Sequence, residues 1–102
     1  MGATGIVTLN FGAFPGASDT TLNVTGQGGI VSGSLVEAWL RPEATADHSA
    51  DEHIIETIKV VAGNITAGVG FTIYAVNTNQ INEPTGQGTR LYGVWSVAWV
   101  WN

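Results

Sequence analysis

The chain ends in an uncharged, proline-free segment whose large side chains recur at every second position. Residues 91–102 read Leu-Tyr-Gly-Val-Trp-Ser-Val-Ala-Trp-Val-Trp-Asn, and the large residues are Leu91, Trp95, Val97, Trp99 and Trp101. A period of two indicates a β-strand, because successive side chains point to opposite faces of a sheet. The other face is smaller but mostly apolar, and a strand that is apolar on both faces is normally buried on both. We therefore expect this strand to lie inside a β-sandwich or against a second subunit.

Further segments have the composition of strands and are separated by turn residues. They are residues 5–11, 20–25, 30–40, 52–61, 65–67 and 71–76. No convincing helical segment lies between them, which favours an antiparallel sandwich or barrel over a parallel sheet. We predict one all-β domain over residues 1–102, an antiparallel β-sandwich of jelly-roll or immunoglobulin-like type with about 6–8 strands and no substantial helix.

The connections between these segments carry three further expectations. Pro15-Gly16 suits the centre of a type II turn. Residues 43–51 are the most polar stretch and hold either a helical turn or an exposed loop. Residues 62–64 are expected to be a tight connection, and residues 77–88 a crossover between sheets or a projecting loop.

Composition restricts the classes of partner. Three Lys and Arg residues stand against eight Asp and Glu residues, which gives a net charge of −5. Because Arg41, Lys59 and Arg90 are the only cations, no basic stripe can follow a phosphate backbone, and we expect no nucleic-acid binding. The N-terminus lacks the features of a signal peptide, and no apolar run approaches the roughly 18 residues that span a membrane. We expect a product made in soluble form inside the cell, with no membrane partner.

The sharpest chemical cluster is Asp47-His48 followed by Asp51-Glu52-His53. Imidazoles and carboxylates are the ligands that suit zinc and similar metals. His48 and His53 are five residues apart, so they do not form the i, i+4 pair of a metalloprotease helix. A metal at His48 and His53 requires the backbone to fold back, or one histidine per subunit on a three-fold axis. The alternative is a polar loop in which His53 or Asp51 accepts hydrogen bonds from nearby backbone N–H groups.

The sequence contains no spacing typical of a nucleophile with its base, so we expect no enzyme activity and no cofactor. The four tryptophans, Trp39, Trp95, Trp99 and Trp101, are interpreted as core or subunit-interface residues, where aromatic rings contribute large buried areas. The alternative is a carbohydrate-stacking platform, because aromatic residues at i, i+2 and i+4 of one strand share a face.

Several stretches together resemble a known family. They are Gly-Ala-Thr-Gly-Ile-Val-Thr-Leu-Asn-Phe-Gly at 2–12 with Phe-Pro-Gly at 14–16, Val-Thr-Gly-Gln at 24–27 leading into Ile30, Leu-Val-Glu-Ala-Trp at 35–39, residues 48–53, Gly-Phe-Thr-Ile-Tyr at 70–74, and the ending at 91–102. The chain resembles small virion proteins of tailed bacteriophages. The resemblance implies a β-sandwich subunit present in multiple copies on a capsid, collar, tail or fibre.

From this resemblance we expect a structural component of the virion, a capsid decoration (cement) protein or a head- or tail-surface subunit. Its partners would be further copies of itself, with a trimer favoured, and other virion proteins such as capsid or tail subunits. The alternative is a carbohydrate- or receptor-binding module at a fibre or spike tip that uses exposed tryptophans.

Overall fold

A computed structural model describes residues 2–14, 16–78 and 90–102. In chain order the elements are β1 (Ala3–Asn10), β2 (Asp19–Val24), β3 (Val36–Leu40), α1 (Glu52–Ile55), β4 (Ile58–Thr66), β5 (Gly70–Asn77) and β6 (Val94–Trp101). The prediction of an all-β fold without substantial helix is confirmed, since the helix is a single turn. The choice between a jelly-roll and an immunoglobulin-like topology stays a prediction.

The six strands form two antiparallel sheets. The first sheet has the order β1-β6-β3 and the second has the order β2-β5-β4. The terminal strand β6 is therefore the central strand of its sheet, with Ala98 opposite Ile6 on one side and opposite Trp39 on the other. A chain terminus is ordered when its backbone is paired, and β6 is paired along both edges.

The inner faces of the two sheets share one hydrophobic core. Its members are Leu9, Phe11, Val24, Ile30, Ala38, Phe71, Ile73, Ala75, Leu91, Trp95, Val97, Trp99 and Trp101. The rings of Phe71 and Trp99 join the sheets edge to face, with centroids 5.4 Å apart. Gly5 lies opposite Trp99, and a Cβ there would be 2.3 Å from the indole Cζ2. The glycine therefore lets the indole pack against the backbone of β1.

The segment predicted as one strand over 30–40 is a strand only from Val36 to Leu40. Before it, the chain turns, with the Ser34 N–H donating to the Val31 carbonyl at 3.0 Å and the Val31 N–H donating to the Ser34 hydroxyl at 3.1 Å. Ile30 is buried at the start of this turn. The serine competes for backbone groups that a ladder would otherwise use, which is why the alternating pattern does not continue as a strand.

The segment predicted as a strand over 52–61 begins instead with α1, and β4 follows from Ile58. The connection expected at residues 62–64 is part of β4. The ladder to β5 is interrupted there by a register shift between Gly63 and Thr66, and Asn64 has a φ of 52°. Asparagine tolerates this left-handed conformation better than most residues, so the turn signal marks an irregularity within a strand.

The expectation for residues 77–88 falls largely outside the described residues, and so does the turn expected at Pro15. Within the described parts of the chain, no helix is long and apolar enough to cross a membrane.

Candidate functional site

The polar segment 43–53 lies beside β6 at the point where β3 ends. The Arg41 N–H still donates to the Ser96 carbonyl at 2.9 Å, and Pro42 follows. Strand β6 extends further in this direction, to Val94. Beyond the position opposite Arg41, the backbone groups of β6 no longer face a neighbouring strand. A buried backbone group that lacks a hydrogen-bond partner lowers the stability of the fold.

Side chains of the polar segment supply the missing partners. The Ser96 N–H donates to Nε2 of His53 at 3.0 Å, and the Val94 N–H donates to Oδ2 of Asp47 at 2.9 Å. The Thr45 hydroxyl donates to the Val94 carbonyl at 2.8 Å. Side chains of the polar segment thus take the place of β3 as hydrogen-bond partners along this edge of β6.

His53 is held in one neutral tautomer by these contacts. A backbone N–H can only donate, so Nε2 must be free of hydrogen to accept from Ser96. The other nitrogen, Nδ1, lies 2.8 Å from the Ser49 carbonyl, which can only accept. The ring is only 4% exposed, and its hydrogen bonds are complete when Nδ1 alone carries hydrogen.

Unlike those of His53, both ring nitrogens of His48 face hydrogen-bond acceptors. Its Nε2 lies 2.6 Å from the Tyr92 carbonyl, and its Nδ1 lies 2.7 Å from Oε2 of Glu52. The backbone N–H of Ser49 and then the His48 ring hold the pKa of Glu52 below its ordinary value, so the carboxyl group is ionised at neutral pH. Both partners of His48 are then acceptors, and its hydrogen bonds are complete when both ring nitrogens carry hydrogen.

The two rings meet on Trp95, the most deeply buried tryptophan. His48 stacks on the indole with centroids 3.7 Å apart and an interplanar angle of 19°, and His53 meets it edge-on at 5.0 Å. The near-parallel contact of His48 with Trp95 is a stacked pair of aromatic rings. The histidine cluster, which we define as His48, Glu52, His53 and Trp95, therefore fastens the polar segment to the core.

The metal site predicted at His48 and His53 lacks an assembled set of ligands. All four ring nitrogens have protein partners, and the Asp47 carboxylate is engaged by Val94. Among the described residues, no group of three or more His, Cys, Asp or Glu side chains is placed to hold a metal ion. The contacts of His53 are those of the alternative interpretation, in which this side chain accepts from a backbone N–H.

The role of Glu52 was missed by the sequence analysis. Its Oε1 accepts from the Ser49 N–H at 3.0 Å and from the Ser49 hydroxyl at 3.3 Å, just before α1 begins. Ser-x-x-Glu matches the capping-box pattern of a helix start, which was readable in the sequence. Here, however, the N-cap residue is Asp51 and Glu52 is the first residue of α1, so only the contacts of Glu52 with Ser49 are formed. The same contacts direct the Ser49 hydroxyl to a carboxylate and not to a histidine nitrogen, so Ser49 and His48 do not form a nucleophile–base pair.

The structure separates the four tryptophans into two groups. Trp95, Trp99 and Trp101 point into the core, where the Trp101 indole N–H donates to Oε1 of Gln27 at 2.8 Å. Trp39 lies on the opposite face of the same sheet and is 46% exposed. The three aromatic residues of β6 do share a face, but that face is internal and offers no platform to a sugar.

The outer face of the first sheet is partly exposed, although Ser96 within it is buried. It carries three rows that run across the strands: Thr8, Ser96 and Arg41; Ile6, Ala98 and Trp39; and Thr4, Val100 and Glu37. Ile6 is 57% exposed, and the small Ala98 between Ile6 and Trp39 leaves an open trough of about 340 Å³. We refer to these three rows as the outer face.

Comparison with protein-family models, with curated proteins and with solved structures found no match.

Proposed function

We propose that this protein is a non-catalytic structural subunit that assembles with further copies of itself. The observation that carries the proposal is the apolar middle row of the outer face, where Ile6 and Trp39 are exposed on either side of Ala98. Contiguous exposed apolar side chains on a small protein mark sites of protein–protein interaction. The low charge of the chain, 11% of residues, also fits a subunit that neighbours partly cover.

We further propose that the assembly is part of the virion of a tailed bacteriophage, as a capsid decoration protein or a head- or tail-surface subunit. This part of the proposal rests on the resemblance of the sequence alone, which also favours a trimer. The partners would then be capsid or tail subunits in addition to the chain itself.

The test of assembly is the absolute mass of the purified protein by light scattering, over a range of concentrations and with and without a chelator. An oligomer that forms as the protein concentration rises, and whose mass is unchanged by the chelator, is the expected result. Dissociation on chelation would instead show that a metal ion links the subunits, and His48 and His53 could hold it only by giving up their present hydrogen bonds. A monomer at every concentration would contradict self-assembly. Immunogold labelling of purified phage particles tests the virion assignment separately, and particles that lack the protein would refute it.

Carbohydrate binding is the second candidate function, and the position of Trp39 favours it. Its indole borders the trough that Thr4 and Arg41 also line. An exposed ring beside a guanidinium and a hydroxyl group offers both stacking and hydrogen bonds to a sugar. The test is a titration of intrinsic fluorescence with a glycan panel. A glycan that shifts the emission of the native protein but not of the Trp39→Ala variant would support this function. Tyr74→Ala, at an exposed aromatic residue of the other sheet, is the matched control.

A further inference from the structure

The outer face has a pattern of charge that is complementary to itself. Along β3 and its continuation, Glu37, Trp39 and Arg41 point to the same side, so an acid and a base flank the tryptophan at equal spacing. Glu37 has no ionic partner among the described residues. Arg41 contacts Glu43 at 3.2 Å, but both side chains are partly exposed and the guanidinium has further donors.

We propose that two copies of this chain pack face to face through this surface, related by a two-fold axis that runs along the row Ile6, Ala98 and Trp39. Such an axis lies parallel to the sheet and perpendicular to its strands. It places each strand over the same strand of the partner, with the two running in opposite directions. Trp39 then lies against the partner's Trp39, and Glu37 lies against the partner's Arg41. Symmetry makes the reciprocal contact as well, as an isologous interface requires.

The other rows agree with this arrangement. The axis brings the row of Thr4 and Val100 against the partner's row of Thr8 and Ser96, in which the exposed Thr8 is uncharged and Ser96 is buried and adds little surface. The apolar row lies in the centre and the charged pairs lie at one end, so the apolar atoms are covered while the charges stay at the rim. An axis parallel to the strands would instead place Glu37 and Arg41 against threonines.

The area of the proposed interface determines the affinity that we expect for the dimer. Three strands about 4.8 Å apart and about five residues long give a footprint well below the roughly 800 Å² per partner of a standard interface. The dimer is therefore expected to depend on protein concentration. This inference rests on the proposed self-assembly; it adds the surface, and it replaces the trimer that the resemblance favours with a two-fold dimer.

The experiment is sedimentation equilibrium of the full chain from micromolar to near-millimolar concentration, with charge-reversal variants. Glu37→Arg and Arg41→Glu each place like charges together twice per dimer, and we expect each to weaken dimerisation about tenfold or more. An equimolar mixture of the two variants restores opposite charges at both contacts. We therefore expect the mixture to form a heterodimer with an affinity close to that of the native protein.

Asp19→Arg and Lys59→Glu are matched controls, because they change the net charge by the same amounts on the outer face of the other sheet. They should leave dimerisation unchanged, and circular dichroism should show that all four variants are folded. A dimer that responds to the controls instead, or whose two single variants do not rescue each other, would overturn the proposed surface while leaving self-assembly intact. A trimer would overturn the two-fold arrangement. A monomer at every concentration would contradict both proposals.

Discussion

At the scale of the residue, His53 does with one ring nitrogen what the backbone of a neighbouring strand does elsewhere in the sheet. Its Nε2 accepts from Ser96 where β3 no longer does, and its other nitrogen is tied to Ser49. A polar side chain can take this place only if it is buried, correctly oriented and in the correct tautomer. The burial of His53 against Trp95 meets the first two conditions.

We predict that His53→Ala lowers the free energy of unfolding by about 1–3 kcal/mol for the unpaired Ser96 N–H alone, with an additional loss from packing on Trp95. Urea unfolding followed by tryptophan fluorescence measures the change. Ile54→Ala is the control, because the neighbouring Ile54 is exposed and its replacement should change stability by no more than about 0.5 kcal/mol. Equal stabilities for the two variants would show that the histidine contact contributes nothing.

Glu52 makes the stability of the fold depend on pH. Its pKa is lowered in the folded protein, chiefly by the Ser49 N–H and by His48, so the unfolded state binds its proton more readily than the folded state. The stabilisation from the carboxylate is therefore fully present above the ordinary pKa of 4.5 and is lost as the pH falls through the lowered value.

We therefore expect Glu52→Gln to be less stable than the native protein at neutral pH, with the difference shrinking as the pH falls below 4.5. Thermal unfolding midpoints of the two proteins over this range provide the measurement. Asp19→Asn, at an exposed carboxylate on the other sheet, should show no such convergence. A difference between Glu52→Gln and the native protein that stays constant with pH would refute the prediction.

At the scale of the element, β6 organises the protein. It pairs with β1 and β3 along its two edges and contributes Trp95, Val97, Trp99 and Trp101 to the core. Each buried tryptophan is worth about 3–5 kcal/mol on replacement by alanine. The stability of a whole domain is about 5–15 kcal/mol, so the first sheet has no reserve that could compensate for the loss of this strand.

Deletion of residues 95–102 is accordingly expected to leave an unfolded or insoluble chain. Solubility on expression and the dispersion of a proton NMR spectrum are the readouts. A soluble, folded truncation would show that β6 is an appendage and not the centre of a sheet.

Two single substitutions test the same element without removing it. Trp99→Ala should cost about 3–5 kcal/mol of unfolding free energy, because its indole fills the core beside Phe71 and Gly5. Trp39→Ala removes the same side chain from the outer face of the adjacent strand and should cost far less. Denaturant unfolding at low protein concentration compares the two, and similar losses would contradict the placement of these residues.

At the scale of the whole molecule, the two faces of the first sheet (β1-β6-β3) have different environments. The inner face is closed by the second sheet, and the outer face presents Ile6 and Trp39 to solvent. An exposed face of this kind has to remain in contact with water or be covered by another molecule. The proposals of self-assembly and of sugar binding are two ways of covering it.

Acrylamide quenching of tryptophan fluorescence tests this asymmetry. In dilute protein, we expect one quenchable fraction from Trp39 and a protected fraction from Trp95, Trp99 and Trp101. Trp39→Phe should abolish the quenchable fraction and keep the protected one. If the remaining fluorescence of that variant is still readily quenched, the indoles assigned to the core are accessible and the arrangement of the sheets is wrong.

Much of this architecture is determined by local features of the sequence. The alternation in residues 91–102 is sufficient to predict the strand and to place Trp95, Trp99 and Trp101 on one face, because strand geometry sends alternate side chains to opposite sides. Burial was expected on both faces, and the outer positions Val94, Ala98 and Val100 are only half-buried. The other strands follow from the same periodicity, although two of them begin later than the apolar pattern suggests, after the turn at Ser34 and after the helical turn α1. Only the tertiary structure decided the roles of the polar residues. The long-range partners of Asp47 and His53 lie on β6, and that of His48 is Tyr92, just before β6; all are more than 40 positions away in the sequence. A cluster of histidines and carboxylates has the same spacing whether it binds a metal or completes the edge of a sheet. The difference lies in which long-range donors and acceptors surround each ring, and the fold places them there.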